Sequence, residues 1–194
     1  MCVGHPVPGV EIRLSPLTAD GSADGALIDQ SGVTGEVCVA GAHVKDRYDK
    51  LWATERLSSR NPGWHRTGDV GHLDNDGRLW IEGRLVHVIT TADGPVTPVG
   101  IEQRVESLAE IALAAVVGVG PPGTQQVVVV IETGSDGLAD PELTTAVRAA
   151  AGGSIAAVLT LRSLPVDIRH ASKIDRTRVA RWADRLLAGE RGRL

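Results

Sequence analysis

The sequence predicts an α+β protein: a small antiparallel β-barrel or sandwich subdomain followed by an α+β domain with helices on a small sheet. Up to Gly83, short runs that alternate apolar and polar residues are separated by turn sequences, which is typical of hairpin-connected strands. After Arg84, β-branched runs alternate with apolar stripes at helical spacing. We therefore expect a β-rich subdomain over 1–83 and an α+β domain over 84–194.

Turn chemistry delimits the strands of the first region. Residues 10–14 and 36–40 alternate apolar and polar side chains, as half-buried strands do. The run Asp-Asn-Asp-Gly at 74–77 predicts a hairpin loop, because Asp and Asn bond to nearby backbone and Gly accepts a positive φ. This loop joins predicted strands over 70–73 and 78–82.

The second region mixes strands and helices. Strands are predicted at the β-prone segments 86–89, 113–119, 126–132 and 156–161.

Helices are predicted over 101–111, 141–151 and 174–188, and the first and last of them have an apolar stripe at helical spacing. The middle helix has the clearest limits, because Asp140 is a good N-cap and Gly152 is a good stop signal.

The GxGxxG spacing at 118–123 resembles a nucleotide-binding loop. That loop requires a helix directly after the glycines, so that its amide groups face a phosphate. Here two prolines lack amide donors and a β-prone segment follows. We interpret these residues as a turn between strands.

Composition argues against several functional classes. Hydrophobic residues make up 42% and charged residues 23%, which is ordinary for a globular protein. The net charge of −4 gives no reason to expect a nucleic-acid partner. The segment 162–194 is locally basic, with nine Lys or Arg against four Asp or Glu, and we interpret it as a solvated helix face. No apolar run approaches the length of about 18 residues expected of a transmembrane segment.

Cys2 and Cys38 form no CxxC pair and have no neighbouring His, so we expect no metal site. Two thiols, together with an amino terminus that has neither a charged leader nor an apolar run, predict a cytoplasmic protein.

Three polar side chains are candidates for a functional site. Asp69 can accept two hydrogen bonds from a vicinal diol such as ribose, or it can be a turn residue bonded to its own backbone. Arg84 can contact ribose or phosphate, or it can be an ordinary surface arginine. Lys173 can neutralise charge that develops on phosphate and carboxylate oxygens, or it can be a solvated lysine near the start of a helix.

Together, three motifs resemble the carboxyl-terminal half of the adenylate-forming enzymes, the superfamily of acyl-CoA synthetases, luciferases and peptide-synthetase adenylation domains. They are Trp-His-Arg-Thr-Gly-Asp at 64–69, Gly83-Arg84, and Ser-Lys-Ile-Asp-Arg at 172–176. Gly-Glu-Val at 35–37 and Ile-Glu at 101–102 continue the same ordered pattern. The resemblance covers essentially the whole chain.

The resemblance implies a role for each candidate residue. Enzymes of this family activate a carboxylate with ATP and Mg²⁺. Asp69 would bind the ribose hydroxyls of ATP, Arg84 would support the same ribose, and Lys173 would be the catalytic lysine that contacts carboxylate and phosphate. No residue is assigned as a metal ligand. A hinge near 84–87 would let the carboxyl-terminal domain swing between the two half-reactions.

Two positions depart from the family pattern. The usual Ser-Gly-Lys is here Ala171-Ser172-Lys173, so the glycine that loosens the loop is missing. Val86 stands at the hinge position, where the family usually has a polar or charged residue.

Within the superfamily, segments 79–89, 94–102 and 164–170 are most similar to the β-lactone synthetases of bacterial long-chain olefin biosynthesis. This implies a long-chain β-hydroxy acid as substrate and other olefin-pathway enzymes as partners. A fatty acyl-CoA ligase fragment and a non-catalytic binding module that reuses the fold are the alternatives. The family's amino-terminal ATP-binding region, with its phosphate loop, has no counterpart here, so we expect a fragment that is inactive alone.

Overall fold

The fold divides the chain between Val88 and Ile89, slightly beyond the predicted boundary at Arg84. This computed structural model describes residues 1–45, 51–166 and 173–190. Each of the two units has its own sheet and its own apolar core. The predicted α+β class is confirmed.

The first unit is built on one antiparallel sheet of five strands. The strands are β1 (Cys2–Gly4), β2 (Val10–Pro16), β3 (Gly35–Gly41), β4 (His65–Leu73) and β5 (Leu79–Arg84). Their spatial order is β1-β5-β4-β3-β2, and every neighbouring pair is antiparallel. Because β1 and β2 lie at opposite edges and do not pair with each other, the sheet is open and does not close into the barrel that the sequence allowed.

Local chemistry explains the hairpin between β4 and β5. Asp74 Oδ1 accepts hydrogen bonds from the backbone N–H groups of Asp76 at 3.0 Å and Arg78 at 2.9 Å. Gly77 has a φ of +75°, which glycine adopts without strain. The predicted loop at 74–77 is therefore confirmed. A short helix, α1 (Trp52–Ser58), and a 3₁₀ turn (Leu85–His87) are the other helical elements of the first unit within the described residues.

The second unit contains a mixed four-stranded sheet and a separate two-stranded hairpin. The strands are β6 (Ile89–Thr91), β7 (Gly94–Val96), β8 (Ala114–Val119), β9 (Gln126–Glu132), β10 (Gly137–Leu138) and β11 (Ala157–Leu161). The order of the larger sheet is β10-β11-β9-β8, with β9 and β11 parallel and the other pairs antiparallel. β6 and β7 form the hairpin.

Three helices cover the two faces of this larger sheet. They are α2 (Pro98–Glu106), α3 (Pro141–Ala151) and α4 (Arg176–Leu187). α2 and α3 contribute Val105 and Val147 to the core on one face, whereas α4 contributes Val179 and Trp182 to the core on the other. Alternate residues of the central strands therefore enter different cores, as the pleat of a sheet requires.

The prediction for α3 is confirmed at both ends. Asp140 Oδ1 accepts a hydrogen bond of 2.8 Å from the backbone N–H of Leu143, and Gly152 ends the helix with a φ of +66°. These are the N-cap and C-terminal glycine signals that the sequence contains.

Several predicted limits were wrong, and three of them have a clear structural reason. In the segment 86–89 only Ile89 lies in a strand, because the residues before it form the 3₁₀ turn. α2 ends at Glu106 instead of residue 111, since the chain beyond it continues in tight turns that still bury Ile111. α4 begins at Arg176 because Ile174 forms a β-bridge with Val166.

Candidate functional site

Asp69 lies on a bulge within β4, which begins at His65 and therefore before the strand predicted over 70–73. Glu36 and Cys38 of β3 face Val70 and Arg66 of β4, so β4 has extra residues between these two pairs. Bulges redirect side chains and are frequent next to functional sites.

Gly68 makes the bulge possible. Its φ is +74°, a conformation that residues with a Cβ rarely adopt. An isolated glycine inside a strand-like segment was the sequence signal for this irregularity.

A buried carboxylate, Glu36, holds the bulge in place. Its side chain accepts hydrogen bonds from the backbone N–H of Gly68 at 3.1 Å and from Arg66 Nε at 2.8 Å. Glu36 and Arg66 are each only 4% exposed. A charge that is removed from water needs such partners, so this pair ties β3 to the segment that carries Asp69.

Thr67 adds a second connection between the bulge and β3. Its hydroxyl donates a hydrogen bond of 2.9 Å to the Val37 carbonyl and accepts one of 3.0 Å from the Asp69 backbone N–H. The Thr-Gly-Asp motif is therefore one hydrogen-bonded unit, in which the threonine orients the backbone of the aspartate.

Arg84 lies beside Asp69 on the neighbouring strand β5. The two residues are register partners, and Arg84 Nε is 3.2 Å from Asp69 Oδ1. Arg84 also donates a hydrogen bond of 3.4 Å to the Thr67 carbonyl. A Cβ at position 68 would lie 3.2 Å from Arg84 Nη2, so glycine leaves room for this approach. Both charged side chains remain partly exposed, at 41% for Asp69 and 50% for Arg84.

Lys173 belongs to the second unit, where it is exposed directly before the start of α4. The residues after it are well anchored. Ile174 bridges to Val166, and the Asp175 backbone N–H donates a hydrogen bond of 2.8 Å to the Pro165 carbonyl. The Asp175 carboxylate caps α4 by accepting a bond of 3.1 Å from Arg178.

Two further predictions concern residues near the candidates. Ala171 and Ser172, where the sequence departs from the usual Ser-Gly-Lys, lie outside the described residues. Val86, at the predicted hinge, lies in the 3₁₀ turn and is 83% exposed. An exposed valine makes no packing contribution that would fix this turn.

Arg176 and the buried Glu102 form a partly buried ion pair within the second unit. Arg176 Nε is 3.0 Å from Glu102 Oε1, and Arg176 Nη2 is 2.6 Å from Glu102 Oε2. Glu102 Oε1 also accepts a hydrogen bond of 2.9 Å from the Val116 backbone N–H. Glu102 and Arg176 belong to the sequence motifs at 101–102 and 172–176, but their pairing was not predicted.

Sequence reasoning thus identified exposed candidates and missed the buried charges that support them. The signal was present in the sequence, because Glu36 lies in a predicted strand and Glu102 follows Ile101 on the apolar stripe of a predicted helix. Lys, Glu, Arg and Asp are almost never fully buried unless they are paired. Burial of either glutamate therefore requires a cationic partner, which Arg66 provides for Glu36 and Arg176 for Glu102.

Other candidate chemistry is not supported by the described residues. Burial raises the pKa of the Cys38 thiol to about 11, so this thiol stays protonated near neutral pH and is a poor nucleophile. The glycine-rich turn at 118–123 leads directly towards strand β9, and its Gly123 N–H is bonded to Thr90. Within the described part of the chain, no His, Cys, Asp and Glu group of three or more is placed to hold a metal ion. No described helix has the length and apolarity needed to cross a bilayer.

Two curated relatives match nearly the whole chain. The olefin β-lactone synthetase of Xanthomonas campestris pv. campestris is 36% identical over 201 residues, and that of Stenotrophomonas maltophilia is 34% identical over 197 residues. Each match covers 94% of this chain and 36% of the relative. The chain is a homologue of the adenylate-forming ligases. It spans about a third of the length of these relatives and matches their carboxyl-terminal part.

A second group of relatives matches a smaller part of the chain. The indoleacetate–CoA ligase of Aromatoleum aromaticum is 38% identical over 89 residues, which are 45% of this chain and 17% of that enzyme. No protein-family model matches.

Solved structures agree with the family assignment. The amide bond synthetase McbA from Marinactinospora thermotolerans is 31% identical, with a TM-score of 0.74. ATP-bound MatB from Rhodopseudomonas palustris shares the fold with a TM-score of 0.75 at 22% identity. Each similarity covers 94% of this chain and 36% of the other protein.

Proposed function

We propose that the chain is the carboxyl-terminal part of an ATP-dependent ligase that converts a long-chain β-hydroxy acid to a β-lactone, with release of AMP and diphosphate. One observation carries this proposal above the other ligases of the family. The similarity to two olefin β-lactone synthetases extends over 94% of the chain, whereas the similarity to indoleacetate–CoA ligase extends over 45% and that to two long-chain fatty acid–CoA ligases over 59% and 62%.

Asp69 and Arg84 are proposed to hold the ribose of ATP. The carboxylate is partly exposed, and its two oxygens can accept hydrogen bonds from adjacent hydroxyl groups. Arg84 orients this carboxylate through Oδ1, and the Glu36-supported bulge fixes the backbone beneath it. The chemistry of these donors and acceptors fits a vicinal diol.

The family also uses Mg²⁺, which neutralises phosphate charge when it is bound. The described residues offer no cluster of ligands for it. We therefore assign no magnesium ligand to this chain, and ligands from the proposed ATP-binding region and from the phosphates themselves would hold the ion.

Lys173 is proposed as the catalytic lysine of the first step. In that step a carboxylate oxygen of the substrate attacks the α-phosphorus of ATP, and the bond to diphosphate breaks. Negative charge develops on the phosphate oxygens, and an ammonium group placed beside them stabilises it. Lys173 is exposed, as such a role requires.

The second step needs no thiol. The β-hydroxyl oxygen of the acyl-adenylate attacks the acyl carbon, the bond to AMP breaks, and the hydroxyl proton is lost. Because the hydroxyl belongs to the same molecule, its effective concentration is high. The residues that shape the acyl pocket are proposed to lie in the remaining part of the enzyme.

The two units are proposed to be mobile domains, 1–83 and 84–194, with a hinge near 84–87. Support comes from the division of the chain between Val88 and Ile89 and from the exposure of Val86 in the preceding 3₁₀ turn. A change of a few backbone angles there would re-orient everything that follows.

The chain alone is proposed to be inactive, since a phosphate loop supplies backbone donors that no segment among the described residues replaces. The missing partner is the amino-terminal ATP-binding region of a longer polypeptide, and other olefin-pathway enzymes are proposed to act beside it. A cytoplasmic location is proposed from the thiols Cys2 and Cys38.

Product analysis by mass spectrometry tests the proposal. The full-length enzyme, meaning this chain joined to its ATP-binding region, is incubated with ATP, Mg²⁺ and a long-chain β-hydroxy acid, with and without coenzyme A. We expect AMP and a product lighter than the acid by one water, formed without coenzyme A. A thioester formed only with coenzyme A would identify a fatty acyl-CoA ligase instead. Absence of AMP under both conditions would favour a non-catalytic binding module.

A further inference from the structure

We infer that Arg176 and Glu102 are positioning residues that hold Lys173 in place through their partly buried ion pair. The catalytic consequence of this inference rests on the role proposed above for Lys173. The structural part, that the pair anchors the segment 173–176, stands on contacts within the second unit alone.

Glu102 of α2 is attached to the sheet through its side chain. Its side chain is 5% exposed, and it accepts a hydrogen bond of 2.9 Å from the Val116 backbone on β8. One helical turn later, Glu106 accepts a bond of 2.9 Å from Ala114 on the same strand. α2 is therefore attached to the outer edge of β8 at two positions, and this edge would otherwise present unpaired N–H groups.

Arg176 connects α4 to Glu102. As the first residue of the helix, it extends its guanidinium to both oxygens of Glu102, with contacts of 3.0 and 2.6 Å. A two-pronged pair of this kind fixes direction as well as distance, which a lysine at the same position cannot do.

The residues between Lys173 and Arg176 transmit this anchoring. Ile174 is held by its bridge to Val166, and Asp175 by its backbone bond to Pro165 and its cap on α4. Lys173 is thus the exposed end of a segment that is attached at every following residue. These contacts explain how an exposed lysine can occupy a defined place.

Position matters for the chemistry because the lysine charge must lie beside oxygens that become negative in the transition state. Displacement of a catalytic group by about 1 Å can cost on the order of 100-fold in rate. A segment released from Glu102 would still contain Lys173, but would hold it in many positions.

Hydrogen exchange on this chain tests the anchoring directly. The variants are Arg176→Lys, which keeps the charge but loses the bidentate contact with Glu102, and Arg176→Gln, which loses both. Arg178→Lys and Arg178→Gln are matched controls, because Arg178 is exposed on the same helix. We expect exchange of the backbone amides at 174–176 to accelerate by about 10-fold or more in the Arg176 variants only, as local opening becomes easier.

A further variant separates loss of anchoring from a general loss of folding. Arg176→Gln leaves the buried Glu102 without its cation, so the double variant Glu102→Gln/Arg176→Gln is included. It removes both charges together and retains an oxygen that can accept the Val116 bond. If all variants with an unmodified circular dichroism spectrum exchange at the wild-type rate, the anchoring is refuted.

Kinetics of the full-length enzyme test the link to Lys173. We expect Arg176→Gln to lower kcat for ATP–diphosphate exchange by on the order of 100-fold, with little change in KM for ATP. Arg176→Lys, which keeps the positive charge, should lower kcat less than Arg176→Gln does.

The decisive comparison is made in the Lys173→Ala background, where Arg176→Gln should cause no further decrease. Independent, additive losses would overturn the positioning role. Absence of ATP–diphosphate exchange in the wild-type full-length enzyme would refute the proposed function. Amide hydrogen exchange on this chain would still decide whether the Arg176–Glu102 pair anchors the segment 173–176.

Discussion

Arg84 Nε lies 3.2 Å from Asp69 Oδ1, and the two residues are register partners on strands that are adjacent in the sheet. Both side chains are partly exposed, so their attraction contributes only about 1 kcal/mol or less to stability. The pair instead orients a carboxylate that lies within the bulge of β4. A carboxylate that is partly exposed and held in a defined orientation is suited to binding a ligand.

Replacement of Asp69 by Ala should weaken ATP binding without unfolding the protein. Loss of hydrogen bonds to a charged acceptor costs about 1.5–3 kcal/mol, or roughly 10- to 100-fold in KM for ATP. The measurement is ATP–diphosphate exchange by the full-length enzyme. Asp76→Ala, which removes an exposed carboxylate from the β4–β5 hairpin, is the control and should leave KM unchanged. An unaltered KM in Asp69→Ala would contradict the ribose role.

Replacement of Lys173 by Ala should abolish adenylation while preserving the fold. The side chain is exposed, so its removal creates no cavity. We expect kcat for ATP–diphosphate exchange to fall by about 100-fold or more, because a preorganised charge is removed from the transition state. Arg181→Ala is the control, since it removes an exposed cation from α4. Wild-type rates in Lys173→Ala would remove the assigned role.

Glu36→Gln should destabilise the first unit strongly. The amide can still accept the Gly68 bond, but Arg66 is left buried without its counter-charge. Removal of one partner of a buried pair typically costs about 3–5 kcal/mol. Urea unfolding of the chain gives the free energy, and Glu11→Gln on β2, where the side chain is exposed, is the control. A loss below about 1 kcal/mol would mean that the pair does not hold the bulge.

The Cys38 thiol should be protected in the native state. Iodoacetamide at pH 8 should modify the exposed Cys2, and should modify Cys38 only after unfolding. Rapid modification of both cysteines in the folded chain would contradict the burial of Cys38.

The raised pKa of the Cys38 thiol should also make the stability of the chain depend on pH in the alkaline range. Burial raises its pKa from 9.0 in the unfolded chain to about 11 in the folded one, so folding favours the protonated form. Its contribution to stability is complete below pH 9 and is lost as the pH rises from 9 towards 11. The difference in unfolding free energy between wild type and Cys38→Ala should therefore change over that interval and remain constant below it.

Trp182→Ala should destabilise the second unit. Trp182 is 2% exposed in the core between α4 and the sheet, and such truncations typically cost about 3–5 kcal/mol. Trp52→Ala is a matched control, because this tryptophan of α1 is 76% exposed. Urea unfolding followed by circular dichroism measures both, and equal effects would contradict the assignment of Trp182 to the core.

Some elements were predictable because their signals are local. Asp140 and Gly152 delimit α3, and the chemistry of 74–77 specifies its hairpin. Strand β9 agrees with its predicted limits because its β-branched residues form an uninterrupted run between turn sequences.

Other features depend on contacts between residues that are far apart in sequence. The start of α4 was misplaced because Ile174 has helical spacing but finds a strand partner in Val166. β1 was missed because three residues become a strand only through their pairing with β5. The glycine at position 68 signals an irregularity, but the bulge itself is defined by the mismatch between β3 and β4.

By itself, the sequence determined the α+β class, the limits of α3, the β4–β5 hairpin and the candidates Asp69, Arg84 and Lys173, since propensity, capping and motif order act along the chain. Tertiary structure decided which charges are buried and with which partners. Arg66 meets Glu36 across two strands, and Arg176 meets Glu102 across 74 residues of sequence. The free energy of a buried ion pair depends on desolvation and on geometry, and both exist only after the chain has folded.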